Sequence, residues 1–226
     1  MRPLIIVRPE PGASATARRA AEFGLNALCV PLFAVEPLDW HAPDVRDFDA
    51  LLVTSANAVR HAGPQLAALA SLPCHCVGAA TAAAAGAAGL TVTDIGTAGA
   101  QALVDSMTSH GHRKLLWLTG KDRTMLRSDG AQIMPLVCYH AAEIADPLGW
   151  SKAVVVPAIL LLHSARAAQR ASALAGDARK HLIAIAISDA VAAAAGPDWE
   201  QLAVAPGPTD ADLLAIAAKL CQTPTP

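Results

Sequence analysis

Short apolar runs punctuate this chain, each followed by a small hydroxyl residue and an alanine-rich stretch. "LLVTSANAVRHAG" begins at Leu51, and "LLLHSARAAQRAS" begins at Leu160, roughly 110 residues later. "VGAATAAAAGAAG" from Val77 resembles "ISDAVAAAAGPDW" from Ile187, and "IGTAGAQALVDSM" from Ile95 resembles "PGPTDADLLAIAA" from Pro206. The apolar runs predict strands at Leu51–Val53, His75–Val77 and Thr91–Thr93, and again at Ile159–Leu162, Leu182–Ile187 and Leu202–Ala205. A helix is predicted behind each. Strand and helix in alternation make a parallel sheet covered by helices, an α/β fold.

A second pair of segments extends the repeat. The opening "PLIIVRPEPGASATARRAAEFGLNALCVPLFAVEP" predicts a strand, a helix over about Ala13 to Phe23 stopped by Gly24, and a strand at Ala27–Val30. "KLLWLTGKDRTMLRSDGAQIMPLVCYHAAEIADP" from Lys114, with its strand Leu115–Leu118, has the same plan and predicts a helix between two strands. Both segments end in an extended stretch with proline and glutamate. The simplest packing inserts a middle domain, 37–141, into an outer domain of 1–36 and 142–226. The stretches Pro31–Pro37 and Val137–Asp146 are then crossings between domains, able to pair as a small antiparallel ladder. The twin serine segments become equivalent strand-to-helix turns in two similar domains.

Composition narrows the class. Apolar residues make up 54%, much of it alanine, and the longest apolar run is too short to span a bilayer. The opening "MRPLIIVRPEPG" has four apolar residues between arginines, too few for a secretory leader, so a cytoplasmic protein is expected. Net charge is −2 with no basic tract, which argues against nucleic acid. Five cysteines, an odd number, argue against a disulfide framework. On a strand, Cys74 and Cys76 of "CHC" face one side and His75 the other, so these three do not converge on one ion.

In open parallel sheets ligands bind beyond the carboxyl ends of the strands, at helix N-termini. Those positions carry Thr54, Ser55 and Asn57 after one strand and Ser164 after its counterpart. Gly78 and Thr81 follow a third, Ser188 a fourth, and Thr209 opens the last helix. Each serves equally as an N-cap. Gathered on the facing ends of two domains, with free backbone N–H groups, they suit an anionic ligand. Arg8 ends the first strand, and Lys121 and Arg123 of "TGKDR" lie at the matching end of Leu115–Leu118, either as anion contacts or as solvated surface. Arg113 and Lys114 start that strand and should lie away from the ligand. The chain shows no triad motif, no HExxH, no GxGxxG and no complete P-loop. Its only tyrosine, Tyr139, falls on the second crossing, where its phenol either donates a hydrogen bond to the ligand or packs the hinge.

These motifs, in this order, resemble uroporphyrinogen-III synthase along essentially the whole chain. Val7-Arg8-Pro9 stands where that family usually opens with Thr-Arg-Pro. "DALLVTSANAV", "VGAATAAAAGAAG", "VCYHAAE", "HSARAA" and "PGPTDADLLA" resemble its successive blocks, and Tyr139 stands at its linker tyrosine. "ISDAVAAAA" lacks a threonine often found there, and "GKDR" replaces a more usual Arg-Gly pair. The resemblance implies two flavodoxin-like domains joined by a two-stranded linker. It implies an enzyme of haem and tetrapyrrole biosynthesis that cyclises hydroxymethylbilane, inverts the last pyrrole and loses water, with no cofactor or metal. Tyr139 is then the catalytic candidate, and Arg8, Thr54, Ser55, Asn57, Gly78, Thr81, Lys121, Arg123, Ser164, Ser188 and Thr209 the substrate contacts. A monomer is expected, with no membrane or nucleic-acid partner. The alternative class is a non-catalytic two-domain binding protein for a small anion.

Overall fold

A computed structural model describes residues 2–222. The chain forms two compact units, one of Met1–Ala34 with Ala142–Pro226 and one of Val35–Ala141.

The first unit is built on strands β1 (Leu4–Ile6), β2 (Ala27–Cys29), β9 (Ala158–Leu162), β10 (Leu182–Ala186) and β11 (Gln201–Val204). They pair in the order β11-β10-β9-β1-β2, all parallel. Every residue of β1, β9 and β10 is buried. Strands covered on both faces need apolar side chains on both, which is why they read as continuous runs rather than as alternation. Helices α1 (Gly12–Glu22), α6 (Ala165–Ala175), α7 (Asp189–Ala195) and α8 (Asp210–Gln222) cover the sheet, with a short α5 (Trp150–Ala153) before β9. Two of them turn small residues inward, Ala13, Thr16 and Ala20 on α1 and Ala167, Ala168, Ala171 and Ala175 on α6, whereas α8 buries Leu213, Leu214 and Ala217. Alanine at helical spacing lets a helix lie close to the sheet, and beside Ala13 and Ala20 of α1 the volume is left to the strand side chains Ile6, Ile159, Leu161 and Ile185.

The second unit contains β3 (Phe33–Pro37), β4 (Ala50–Val53), β5 (Cys74–Val77), β6 (Val92–Gly96), β7 (Lys114–Gly120) and β8 (Gln132–Glu143), with helices α2 (Ala56–His61), α3 (Ala79–Ala87) and α4 (Ala100–Ser109). The sheet order is β3-β8-β7-β4-β5-β6, with β6, β5, β4, β7 and β8 parallel. Alternate residues face opposite layers. Leu51, Val53, Cys74, Cys76, Leu116 and Leu118 pack one way, under α2 and α3. Ala50, Leu52, Leu115 and Trp117 pack the other, against Leu103, Val104 and Met107 of α4. Cys74 and Cys76 are thus side by side, with Sγ atoms 3.6 Å apart, and His75 points to the other layer.

The two sheets share one spatial order, with β6, β5, β4, β7 and β8 standing where β11, β10, β9, β1 and β2 stand in the first unit. The repeated serines occupy equivalent turns: Ser55 caps α2 by accepting from the Asn57 N–H, and Ser164 caps α6 by accepting from the Ala167 N–H. The equivalence fails at one connection. The helix expected between the strands after Lys114 is absent, and residues 121–131 are an irregular loop. That stretch lacks the small-residue stripe of α1, and its Met125 side chain is exposed while Leu126 reaches the core. Gln101 of α4 fastens the loop, its amide donating to the Arg127 carbonyl and accepting from the Arg127 N–H.

The expected strand and crossing after that loop are also one element. β8 runs unbroken from Gln132 to Glu143, with Pro135 where no second strand needs its missing N–H. Its far half runs antiparallel beside β3, since the Leu38 N–H donates to Cys138 and the Ile144 N–H donates to Leu32. At the corresponding place in the first unit, Pro31 separates β2 from β3.

Candidate active site

Because the strands of each sheet other than β3 run parallel, the residues that follow them gather along one edge. In the second unit this edge forms a chain of contacts. Thr54 follows β4, and its hydroxyl accepts a hydrogen bond from the Trp117 indole N–H at 3.0 Å. The guanidinium of Arg123 lies over the same indole, 5.7 Å from its centroid, and donates to the carbonyls of Gly120 and Lys121. Its Nε is buried without a hydrogen-bond partner. Gly120 ends β7, and a β-carbon there would stand 2.6 Å from Cζ of Tyr139, so the phenol lies flat across the glycine. The Tyr139 carbonyl accepts from the Lys121 N–H at 2.8 Å, which leaves the exposed Lys121 side chain beside the ring's strand. The phenol hydroxyl has no hydrogen-bond partner among the described residues. The ring of His61, at the end of α2, lies 6.2 Å from that of Tyr139. Burial, then the Arg60 charge, lowers the pKa of His61 below that of an ordinary imidazole.

Ser55 and Asn57 occupy the first turn of α2, and Asn57 accepts from Arg60. Gly78 precedes α3 with φ of 81°, a conformation that favours glycine. Thr81 is buried within α3. Arg113 and Lys114 lie at the opposite edge, where Asp49 accepts from both of their backbone N–H groups.

The carboxyl edge of the first unit is organised by a residue that sequence reasoning did not single out. Asp210, the first residue of α8, accepts from Arg8 at 3.1 Å, from the Thr16 hydroxyl at 2.8 Å, from Nε2 of His163 at 2.9 Å, and from Arg19. Burial alone would raise its pKa; the hydrogen bonds from His163 and Thr16, with the Arg8 charge, hold it well below the usual carboxylate range. The sequence-predicted Arg8 is thus committed to an ion pair and laid over Gly12, while a third of its side chain stays exposed. Thr209 caps α8 by accepting from the Asp212 N–H at 3.2 Å, and its hydroxyl donates to the Asp212 carboxylate. Ser164 spends its hydroxyl on its own helix, whereas Ser188, before α7, makes no side-chain cap.

Among the described residues, no group of three or more His, Cys, Asp or Glu side chains is poised around a metal position, and no helix is long and apolar enough to cross a membrane.

No curated protein matches the chain. Among solved structures, uroporphyrinogen-III synthetase from Helicobacter pylori 26695 is similar over 97% of this chain and 100% of that one, with TM-score 0.65 and 19% identity. A mutant uroporphyrinogen III synthase from the extremely thermophilic bacterium Thermus thermophilus covers 98% and 100%, with TM-score 0.53 and 18% identity. Likenesses at this identity speak for the fold. The family described as uroporphyrinogen-III synthase HemD matches residues 14–215. With nearly the whole chain inside that match, the protein belongs to the uroporphyrinogen-III synthase family, enzymes of tetrapyrrole biosynthesis that cyclise hydroxymethylbilane.

Proposed function

We propose that the substrate's carboxylates are held by donors on the carboxyl edges of the sheets, and that the Tyr139 hydroxyl is the acid of the reaction. Hydroxymethylbilane carries eight carboxylates, so it calls for many weak anion contacts rather than one strong one. Lys121 and Arg123 supply charge in one unit, with Thr54, Ser55, Asn57 and Gly78 at the same edge of the sheet, whereas Thr81 is buried in α3 and is left without a contact. In the other unit Arg8 supplies charge beside Ser164, Ser188 and Thr209. The N–H groups of the helices opened by these residues add their partial positive charge.

In this reading Tyr139 gives its proton to the leaving hydroxyl, which departs as water, and pyrrole electrons form an azafulvene. The last ring attacks through its substituted carbon to give a spiro intermediate. That intermediate fragments and recloses with the ring inverted, and the proton lost on rearomatisation restores the phenol. The protein's main task is to hold the correct carbon close, so positioning carries most of the rate and the acid a smaller part.

The observation that carries the assignment is the phenol's place. It lies across Gly120, next to the Arg123–Trp117–Thr54 chain, with its hydroxyl unspent on the protein. Two tests apply. Chelator-treated protein given fresh hydroxymethylbilane yields the type III isomer, and formation of type I alone overturns the activity. Tyr139→Phe keeps the ring and lowers turnover by roughly 10²-fold; full turnover in that variant overturns the acid role.

Each unit is further inferred to be a flavodoxin-like domain, with 37–141 inserted between 1–36 and 142–226. The order β2-β1-β9-β10-β11 of the first sheet supports this. The enzyme in this reading is a cytoplasmic monomer.

A further inference from the structure

Arg8 is the charged group that the first unit brings to its carboxyl edge, and its guanidinium is held on several sides. Nη1 donates to Oδ1 of Asp210 at 3.1 Å and to the buried Thr16 hydroxyl at 3.4 Å. The Asp210 carboxylate is fixed in turn, because both its oxygens are gripped. Oδ1 also meets Nε2 of His163 at 2.9 Å, and Oδ2 accepts from the Thr16 hydroxyl at 2.8 Å and from Arg19. His163 is itself packed in, with 7% of its side chain exposed. The remaining side is Gly12, the first residue of α1. A β-carbon there would stand 2.6 Å from Nε of Arg8, 3.0 Å from Cζ and 3.2 Å from Nη2, so the guanidinium occupies space that only glycine leaves. Nη2 has no hydrogen-bond partner among the described residues and is not buried.

We propose that Asp210, Thr16 and Gly12 are positioning residues that hold Arg8 pre-aimed, with Nη2 offered to a carboxylate of the bilane. The inference rests on the reading of Arg8 as a substrate contact and adds what makes that contact effective. Ordering a long side chain at the moment of binding forfeits about 2- to 10-fold in affinity. Here the ordering is complete before the substrate arrives. Arginine suits the task because its planar fork keeps donors for a second partner after one nitrogen is engaged. The hydroxyl of Thr16 couples the two charged groups, accepting from Arg8 and donating to Asp210. Gly12 serves space rather than chain geometry, since it lies in helical backbone where alanine is the better helix former.

The test measures KM, kcat and melting temperature with hydroxymethylbilane for Arg8→Gln, Gly12→Ala, the double variant of these, Thr16→Val and Thr16→Ser. Arg8→Gln raises KM about 10-fold or more, the share of one charge-assisted hydrogen bond, with kcat little changed. Gly12→Ala displaces the guanidinium, the far end of a flexible side chain, and raises KM about 3- to 10-fold, although alanine favours the helix. In the Arg8→Gln background Gly12→Ala adds nothing to KM. Thr16→Val raises KM about 3-fold, and Thr16→Ser, which keeps the hydroxyl, retains the wild-type value. A helix that was merely loosened would lower the melting temperature in both backgrounds and leave KM alone. If Arg8→Gln raises KM but neither Gly12→Ala nor Thr16→Val does, or if Gly12→Ala raises it equally with and without Arg8, the positioning role is overturned while the substrate contact stands. If Arg8→Gln leaves KM unchanged, the substrate contact falls and the positioning role with it.

Discussion

Replacing Asp210 by asparagine removes one charge and almost no volume from the ion-pair cluster of the first unit. Four donors lose their carboxylate, and Arg8 and Arg19 lose their counter-charge. Breaking a fully buried pair costs about 3–5 kcal/mol. The Asp210 side chain is 11% exposed, but that of Arg8 is 34% exposed and that of Arg19 52%, so water recovers part of the loss. The expected loss is therefore about 2–3 kcal/mol, and the melting temperature falls by about 5–10 °C. The pH dependence has a definite sign. The folded pKa of Asp210 is depressed, so its stabilisation is complete above the unfolded value of about 3.9 and fades as pH falls towards the folded value. Urea unfolding of both proteins at pH 7, 5 and 3 reads this directly. The wild-type advantage is the same at pH 7 and pH 5 and about 1 kcal/mol smaller at pH 3. A loss below about 0.5 kcal/mol at pH 7, or an advantage undiminished at pH 3, refutes the cluster as a source of stability.

Two further substitutions probe the edges. Gly120→Ala puts a methyl 2.6 Å from Cζ of Tyr139 and 2.9 Å from its hydroxyl, so the ring has to move. Turnover is expected to fall about 10-fold or more, as small misplacements do. The effect vanishes in the Tyr139→Phe background, and equal losses in both backgrounds count against a shared role. Thr209→Ala deletes the cap on α8 and lowers stability by about 1 kcal/mol while raising KM more than it lowers kcat; an unchanged KM removes Thr209 from the substrate contacts.

The central strands were legible because their burial is uniform. β1, β9 and β10 are buried at every position, so no choice of register was needed to see them. Ser55 and Ser164 were legible as helix starts because a cap acts within three residues of itself. The helix expected after Lys114 illustrates the opposite case. Its only warrant was the parallel with the opening segment, and residues 121–131 carry no stripe of small residues to turn toward a sheet. What holds that loop is Gln101, a side chain from a different element, and nothing local announces it.

The same distinction governs the site. A residue after a strand announces its own place, and so Thr54, Lys121, Arg123 and Ser188 could be located from the chain alone. What those residues do depends on partners far away in sequence. Arg8 read either as an anion contact or as solvated surface, and Asp210, 202 residues on, pairs with it while part of its side chain stays exposed. His163 beside Ser164 looked unremarkable until α8 brought the same carboxylate within 2.9 Å of its ring. Trp117 packs in the core from β7, and its N–H also reaches Thr54 while its face holds Arg123. Trp117 has one face in the apolar layer and one at the edge, and periodicity registers only the first. Hydrophobic pattern therefore locates the edge where chemistry takes place, while the charge available there is decided by pairings that close only when the sheet does. The Asp210→Asn variant acts on one of those pairings and leaves the pattern intact.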